Sequence, residues 1–564
     1  MENLIRIDIG DWMINAGIVG ICNILENAGD KVTKKANYIT IDRSYLDNFE
    51  EKYFKYFIDT YRGTLSWNKI ISYKGILDNF ENSDFKNFTE ESLENLNVYI
   101  KDTVKYYLKS NSYIAAYELI DNNIDILALE RKLTTINLKK KENLEDKLPQ
   151  IKETIKVIRE IIDYFSMEKS KKYLAGKNVI YTIIKNAWNG ISFLNAQTKE
   201  KDMYVDYKNY FVNPAIDELE ANKEKYKYHC FICNNEMKDL NNDLSFLNGI
   251  GFDVNRKPSH VWNFNNDVAI CNFCKLVYSC IPAGISYGAG SGIFINANIN
   301  AENLIKVNEN IKESILRNSD GIKSLSYKSL ISAIQKQEHD SFKYELADIQ
   351  VIRYEDERYK FNILSRNSLK IIKNSKEQLD RLIKSGYIEN KKFYSIYELV
   401  IERLLDNSNL ITLIHRLVLY KLSNPDDCRY SVKNLIDMLR INYKYMKEIG
   451  YMQDIKNEND KDIVDLAKNC GYYLRLAYKA KGSEEKLSGI AYRLLNCLKT
   501  NNASMFMDTI LNCYLYTKKT VPMELLGVLK DSDVFKHIGY AFVASLIGNP
   551  ENDNKENGGK KDDK

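Results

Sequence analysis

No charge of one sign dominates this chain: 81 Lys and Arg stand against 77 Asp and Glu, a net charge of +4 with a pI near 8.2. That is short of the strongly basic footprint, a pI above about 9, of a dedicated nucleic-acid-binding domain. No apolar signal segment follows the opening "MENLIRIDIG", so the expected compartment is the cytoplasm. An uninterrupted membrane-spanning run is also missing. The uncharged stretch Leu276 to Ala301 contains Pro282, four glycines and three asparagines, which makes a poor spanning helix. Proline is scarce at seven residues, but together with abundant Lys, Asn, Ile and Tyr this reads as an AT-rich coding bias and carries no functional weight. Histidine is scarcer still, five in 564 residues, which leaves little material for catalytic His clusters.

Complete catalytic constellations are absent as well. "GISYG", Gly284 to Gly288, fits a G-x-S-x-G nucleophile elbow around Ser286, but Pro282 precedes it and a strand-like, glycine-rich segment follows where a helix is required. "LAGKN" lacks the first glycine and the Ser/Thr of a phosphate-binding loop, and "GAGSG" misses the dinucleotide pattern. "EHD" around His339 has no second metal-ligating cluster and reads as a solvated helix face. A Ser286 hydrolase stays open only as a remote alternative, and the expectation is a protein that is not an enzyme.

Ten cysteines are present, and in a reducing compartment they are thiols or metal ligands rather than disulfides. Six of them are scattered singly and read as small buried hydrophobes. The other four form "CFIC" and "CNFC": Cys230, Cys233, Cys271 and Cys274, spaced C-x2-C-x37-C-x2-C. Each C-x2-C turn lets two thiolates chelate one side of a soft cation, and two turns complete a tetrahedron around Zn2+. Four thiolates leave no open position, so the site is structural. Lys238, Arg256, Lys257 and Lys275 are near enough in sequence to offset its charge, and His229 and His260 are possible substitute ligands. Asn234, after the first pair, suits a left-handed backbone.

The fold class expected is α+β and predominantly helical: a mixed N-terminal domain with a zinc-binding insert, and a C-terminal helical bundle. "LIRIDIG" alternates as a strand, Asp11 caps the following helix, and Gly29 stops it. Gly17 and Gly20 inside that helix point to close approach of a neighbouring backbone. "NYITI" is a second strand, and "IFINANI" a third after the cysteines. Beyond about residue 300 helical periods take over, most clearly where Leu487, Ile490, Ala491, Leu494 and Leu498 share one face. The expected divisions are 1–225 (mixed α/β), 226–300 (zinc-binding insert with Gly-rich loop and strand), 301–430 (helical middle), 431–548 (bundle) and 549–564, a disordered tail without apolar residues.

A contact surface for nucleic acid is expected from Lys169, Lys171, Lys172, Lys177 and Lys185, interleaved with Tyr173 and Trp188, and from Tyr287, Asn296 and Asn298 in and after the glycine-rich loop. Cations meet phosphates and rings stack on unpaired bases. A stand-alone zinc-ribbon DNA-binding protein is one reading of this combination.

The segments "IDIGDWMINAGIVGICNILENAGD", "CFIC" with "CNFC", "AWNGISFLNA" and "GIAYRLLNCLKTNNASMFMDTILNCY" resemble the CRISPR-associated CXXC-CXXC family, the large subunit of type I-B Cascade, from residue 6 to about 547. The resemblance implies a non-catalytic component of an RNA-guided surveillance complex. Its partners would be a guide RNA, target double-stranded DNA, Cascade backbone subunits, a small subunit and a recruited helicase-nuclease. Base pairing would supply sequence specificity while the protein senses a flanking motif. It also implies that an internal start could yield a free C-terminal small subunit, with Met438, Met446 and Met452 as candidate starts.

Overall fold

The structure is a computed structural model that describes residues 3–120, 124–138, 142–249, 269–288, 290–297, 300–317, 349–355, 357–451, 463–529 and 531–548. Asn298, Met452, Arg256, Lys257, His260, His339 and the tail 549–564 lie outside the described residues. The chain forms two compact units, Met1–Arg317 with Ile352–Lys360, and Asn318–Val351 with Phe361–Lys564. The described elements are mostly helices, with small antiparallel sheets among them, as the α+β expectation has it.

In the first unit, β1 (Leu4–Asp8) pairs antiparallel with β3 (Tyr38–Asp42), Ile7 opposite Ile39, and β2 (Thr33–Lys34) takes the other edge of β3. Helix α1 (Trp12–Asn27) begins where the Asp11 carboxylate accepts from the Met13 and Ile14 N–H groups at 2.7 and 3.2 Å, and ends before Gly29 at φ +89°. Every residue from Met13 to Leu25 is buried. A helix enclosed on all sides needs packing partners on all sides.

Its closest partners are the helix Asn272–Ser279 and the short helix Ile281–Gly284. A Cβ on Gly17 would lie 2.6 Å from the Val277 carbonyl oxygen, and one on Gly20 only 1.9 Å from that of Cys280. Reciprocally, a Cβ on Gly284 would lie 1.9 Å from the Ala16 oxygen. The glycines therefore let two helix backbones touch, as the sequence led us to expect for Gly17 and Gly20.

Helix ends leave carbonyls without helical partners, and burying them demands other donors. Helix α2 (Phe49–Tyr61) supplies two. Tyr53 Oη donates to the Ser279 oxygen at 2.9 Å, where Trp188 Nε1 also donates at 3.1 Å. Tyr56 Oη and Asn23 Nδ2 donate to the Ala283 oxygen at 3.0 and 2.8 Å. The dense tyrosines of this segment thus cap a buried helix break through their hydroxyls while their rings fill the core.

A two-stranded hairpin, β4 (Tyr228–His229) with β5 (Glu236–Met237), carries the first cysteine pair. A second sheet has the order β6 (Ser286–Gly288), β7 (Ser291–Asn296), β8 (Ile349–Glu355), β9 (Arg358–Leu364), and the chain passes between the units within its last two strands.

Where helical periods were expected to take over after residue 300, the chain instead inserts hairpins. One is β8–β9. The other is β10 (Gly386–Glu389) with β11 (Lys392–Ser395), and β12 (Cys428–Arg429) pairs on the far edge of β10. The β10–β11 turn has positive φ at both central residues, Asn390 at 52° and Lys391 at 64°. That is the backbone of a hairpin turn normally written with glycine. With Lys in place of Gly the turn has no strong sequence signal.

In the second unit, the helices Val432–Glu448, Ile463–Ala480, Lys486–Lys499 and Ala503–Thr517 accompany the helix Ser532–Ile547, which is buried from Phe535 to Leu546 except at Lys536. Gly471 is again a close approach, its Cβ position 2.2 Å from the Phe542 oxygen. Asp437 is fully buried, and its two oxygens accept from Arg381 Nε and Nη2 at 2.7 Å each while Arg440 reaches it at 3.2 Å. Removing one partner of a buried charge pair strands the other. Asp437→Ala is expected to cost about 2–3 kcal/mol, discounted because both guanidinium groups are partly exposed. The check is an earlier urea midpoint for this unit with metal content unchanged.

Candidate metal centre

The β4–β5 hairpin sets Tyr228 opposite Met237 and His229 opposite Glu236, leaving C-F-I-C-N-N to turn between them. The turn closes through Asn234 N–H to the Cys230 oxygen at 2.9 Å and Cys230 N–H to the Asn235 oxygen at 2.8 Å, with Asn234 at φ +58° as its position suggested. Phe231 N–H donates to the Ala269 oxygen at 2.9 Å, which ties the first half-site to the chain two residues before the second.

The second half-site is a helix start. Cys271 is the N-cap of Asn272–Ser279, its Sγ accepting from the Cys274 N–H at 3.3 Å. Cys230 Sγ accepts from the Cys271 N–H at 3.2 Å. Backbone donors aimed at sulfur, plus the positive end of a helix dipole, favour thiolates there.

All four Sγ atoms lie within 4.8 Å of one another, and Cys233 and Cys271 are 3.6 Å apart. A metal–sulfur bond of about 2.3 Å in a tetrahedron corresponds to sulfurs about 3.8 Å apart. The four residues therefore fit one soft cation, and a shell of four protein ligands has no site for substrate. Cys230, Cys271 and Cys274 are buried, while Cys233 faces solvent.

So close together, the thiols divide their protons unequally. Cys230 is pulled below its ordinary value by hydrogen bonds from Cys233, then Cys271 and Cys274. Cys274 is pushed above it by its close neighbours Cys230, Cys233 and Cys271 and by burial, which keep its proton in place. A divalent cation removes this competition by accepting all four sulfurs as thiolates.

Lys275 has a different role from the expected counter-charge. Its Nζ lies 3.1 Å from Asn242 Oδ1 and 3.9 Å over the Tyr210 ring, and burial pushes its pKa down to about 8. Three residues that motif reading missed position the second half-site. Glu218 accepts from the Asn272 backbone N–H and Nδ2, both at 2.9 Å, and Asn242 and Tyr210 hold Lys275. None of them belongs to a short motif; they come together through the helical turn Lys208–Val212, the helix Asn213–Glu220 that continues it and the loop after β5. His229 is exposed, with Nδ1 3.3 Å from the Asn234 oxygen, outside the four-sulfur cluster.

The expected nucleic-acid surface is largely redistributed. Tyr287 and Asn296 are buried, Asn296 accepting from Asn15 Nδ2 at 2.8 Å, so neither can meet a strand. The strand expected at "IFINANI" is present as β7, but both of its faces are covered. Trp188 is likewise fully interior. Lys172 pairs with Glu51 and lies 4.2 Å over the Tyr204 ring. Lys177 is half-buried, and burial pushes its pKa down. Lys171 is partly exposed, and Lys169 and Lys185 are exposed. Ser286 is 4% exposed and opens β6 opposite Ile293, so it sits within a hairpin and not on a strand-to-helix elbow.

Residues 223–286 match the family model described as CRISPR-associated protein (Cas_CXXC_CXXC). Comparison with curated proteins and with solved structures finds no match. The cysteine-bearing segment is thus similar to that of CRISPR-associated proteins, and the similarity falls on the four cysteines that the fold gathers close enough to hold one metal ion.

Proposed function

We propose that this chain is the large, non-catalytic subunit of a type I-B CRISPR surveillance complex, with Zn2+ as the structural ion of the four-cysteine centre. The observation that carries the reading is the coincidence of the matched segment with a closed tetrathiolate shell, on a fold whose described parts are helical with small sheets. In this role the chain binds guide RNA together with backbone subunits, senses a flanking motif in target double-stranded DNA, steadies the opened duplex and recruits a helicase-nuclease. The work is cytoplasmic and away from membranes. No helix among the described residues is long and apolar enough to cross one.

The second unit bears on the proposed internal start. Met438 and Met446 both lie on the helix Val432–Glu448. A fragment beginning at Met438 keeps the Arg440–Asp465 ion pair at 2.7 Å and the 3.0 Å hydrogen bond between Asn442 Nδ2 and His537 Nε2, which join this helix to later ones. One beginning at Met446 loses both. Met438 is therefore the start we favour, and Met438→Leu should abolish a short C-terminal product if it is used.

Gentle recovery of the tagged chain from its host should bring partner proteins and uniform short RNAs with repeat-derived ends. Recovery as a clean, RNA-free monomer would overturn the reading in favour of a stand-alone zinc-ribbon protein.

A further inference from the structure

The run into the first cysteine pair reads Lys-Tyr-Lys-Tyr-His-Cys-Phe from Lys225 to Phe231, cations alternating with rings. Two of these rings stand in solvent, Phe231 at 60% and Tyr228 at 43% exposure, on a unit that buries Trp188, Tyr53 and Phe54 completely. Both sit on stiff backbone. Tyr228 is in register with Met237, and Phe231 is held by its N–H bond to Ala269 inside a turn closed by two metal-ligating thiols. Rings fixed in this way lose little entropy when a partner covers them.

Lys225, Lys227 and Lys238 are exposed and make no ion pair among the described residues. Lys34, Lys52, Lys172 and Lys208 of the same unit each have a carboxylate partner. Yet Glu224, Glu236 and Asp239 share the segment, and the thiolates add negative charge, so the net field is weak. A duplex, which is bound mainly through its phosphate charge, is a poor fit to that balance. An unpaired strand is a better one, because each base offers an aromatic face of its own. Beneath the hairpin, a recess of about 260 Å³ against the helix Asn213–Glu220 is lined by Tyr226, Met237 and Lys238 together with Asp217, Glu218 and Asp239, so it too is a poor seat for the phosphates of a duplex.

We infer that this cysteine hairpin is a stacking platform for single-stranded nucleic acid. Phe231 and Tyr228 take base faces, and Lys225, Lys227 and Lys238 meet the backbone. The inference rests on the nucleic-acid role proposed above and names a contact within it.

The test is fluorescence binding of the full chain to short 2-aminopurine-labelled single-stranded DNA and RNA, with a duplex of the same sequence as competitor. Phe231→Ala is expected to weaken single-strand affinity about 5- to 100-fold, as loss of one stacked base would. Phe231→Trp should restore it, metal content and melting temperature should stay unchanged, and the duplex should compete poorly. The DNA and RNA arms show which strand is preferred. Equal affinity of Phe231→Ala and parent, or no single-strand binding by the parent, overturns the platform. So does a Phe231→Ala defect confined to capture of a protein subunit, which would make the hairpin a protein-docking face. If the variant binds single strands normally while pull-down still brings short RNAs, only the platform fails. If pull-down brings no RNA while Phe231 still governs strand binding, the surveillance reading fails and the platform stands.

Discussion

Gly20→Ala is expected to cost more than about 3 kcal/mol and to leave most of the chain insoluble, because the new methyl would sit 1.9 Å from the Cys280 carbonyl oxygen. The obstacle is backbone, so no rotamer change relieves it. Either α1 or the segment 272–284 must move, and both are buried in the same core. Gly284→Ala should be equally damaging, since its methyl meets the Ala16 oxygen at the same distance. Gly75→Ala is the control. Nothing lies within 4 Å of its Cβ position on a helix, and this change should be neutral or stabilise by up to about 1 kcal/mol. Soluble yield and urea unfolding of the three variants decide the matter. A soluble Gly20→Ala chain with an unshifted midpoint would mean the helices are not in backbone contact.

Cys230→Ser should release the metal. Elemental analysis of the parent should find one equivalent of a thiophilic divalent ion per chain, and the variant close to none, because three thiolates and a hydroxyl bind soft cations far less well. The first unit has a large core of its own, so loss of the ion should loosen it without unfolding it. A cost of about 2–4 kcal/mol lowers its melting temperature by roughly 3–6 °C. Protection of amides around the β4–β5 hairpin and the start of Asn272–Ser279 should fall first. Acidification acts in the same direction. Each sulfur must be a thiolate to bind, so affinity drops as pH falls and protons compete with the ion. Full metal retention in Cys230→Ser would refute the four-cysteine assignment.

The parts of this protein written in local chemistry could be read in advance. Asp11, Gly29 and Asn234 each answer to one backbone requirement, and the two C-x2-C pairs to one cation, so spacing alone located them. Gly17 and Gly20 signalled a close neighbour because glycine inside a buried helix needs such a reason; which neighbour it was, 260 residues away, no local pattern could say. Tyr287 was misread because the glycine-rich run around it is a buried hairpin strand and not an open loop, and Asn296 because alternation looks the same on a half-exposed strand and on one covered on both faces. The β10–β11 hairpin was missed because Asn390–Lys391 adopts a conformation usually marked by glycine. Glu218, Asn242 and Tyr210 carry no motif, and their roles exist only once the fold has formed.

The contact between α1 and the segment 272–284 also has a consequence in time. Helix α1 is complete after residue 27, but the backbone it must touch ends at residue 284. At about 5–20 residues per second, a ribosome needs roughly 13–50 s to make the chain between them. Throughout that interval, one of the most apolar helices of the molecule can meet α2 but lacks its closest native partners. The nascent chain is therefore a prolonged client for holding chaperones, and only with residues 271–284 do the four-cysteine cluster and the backbone partner of α1 become complete, one directly after the other.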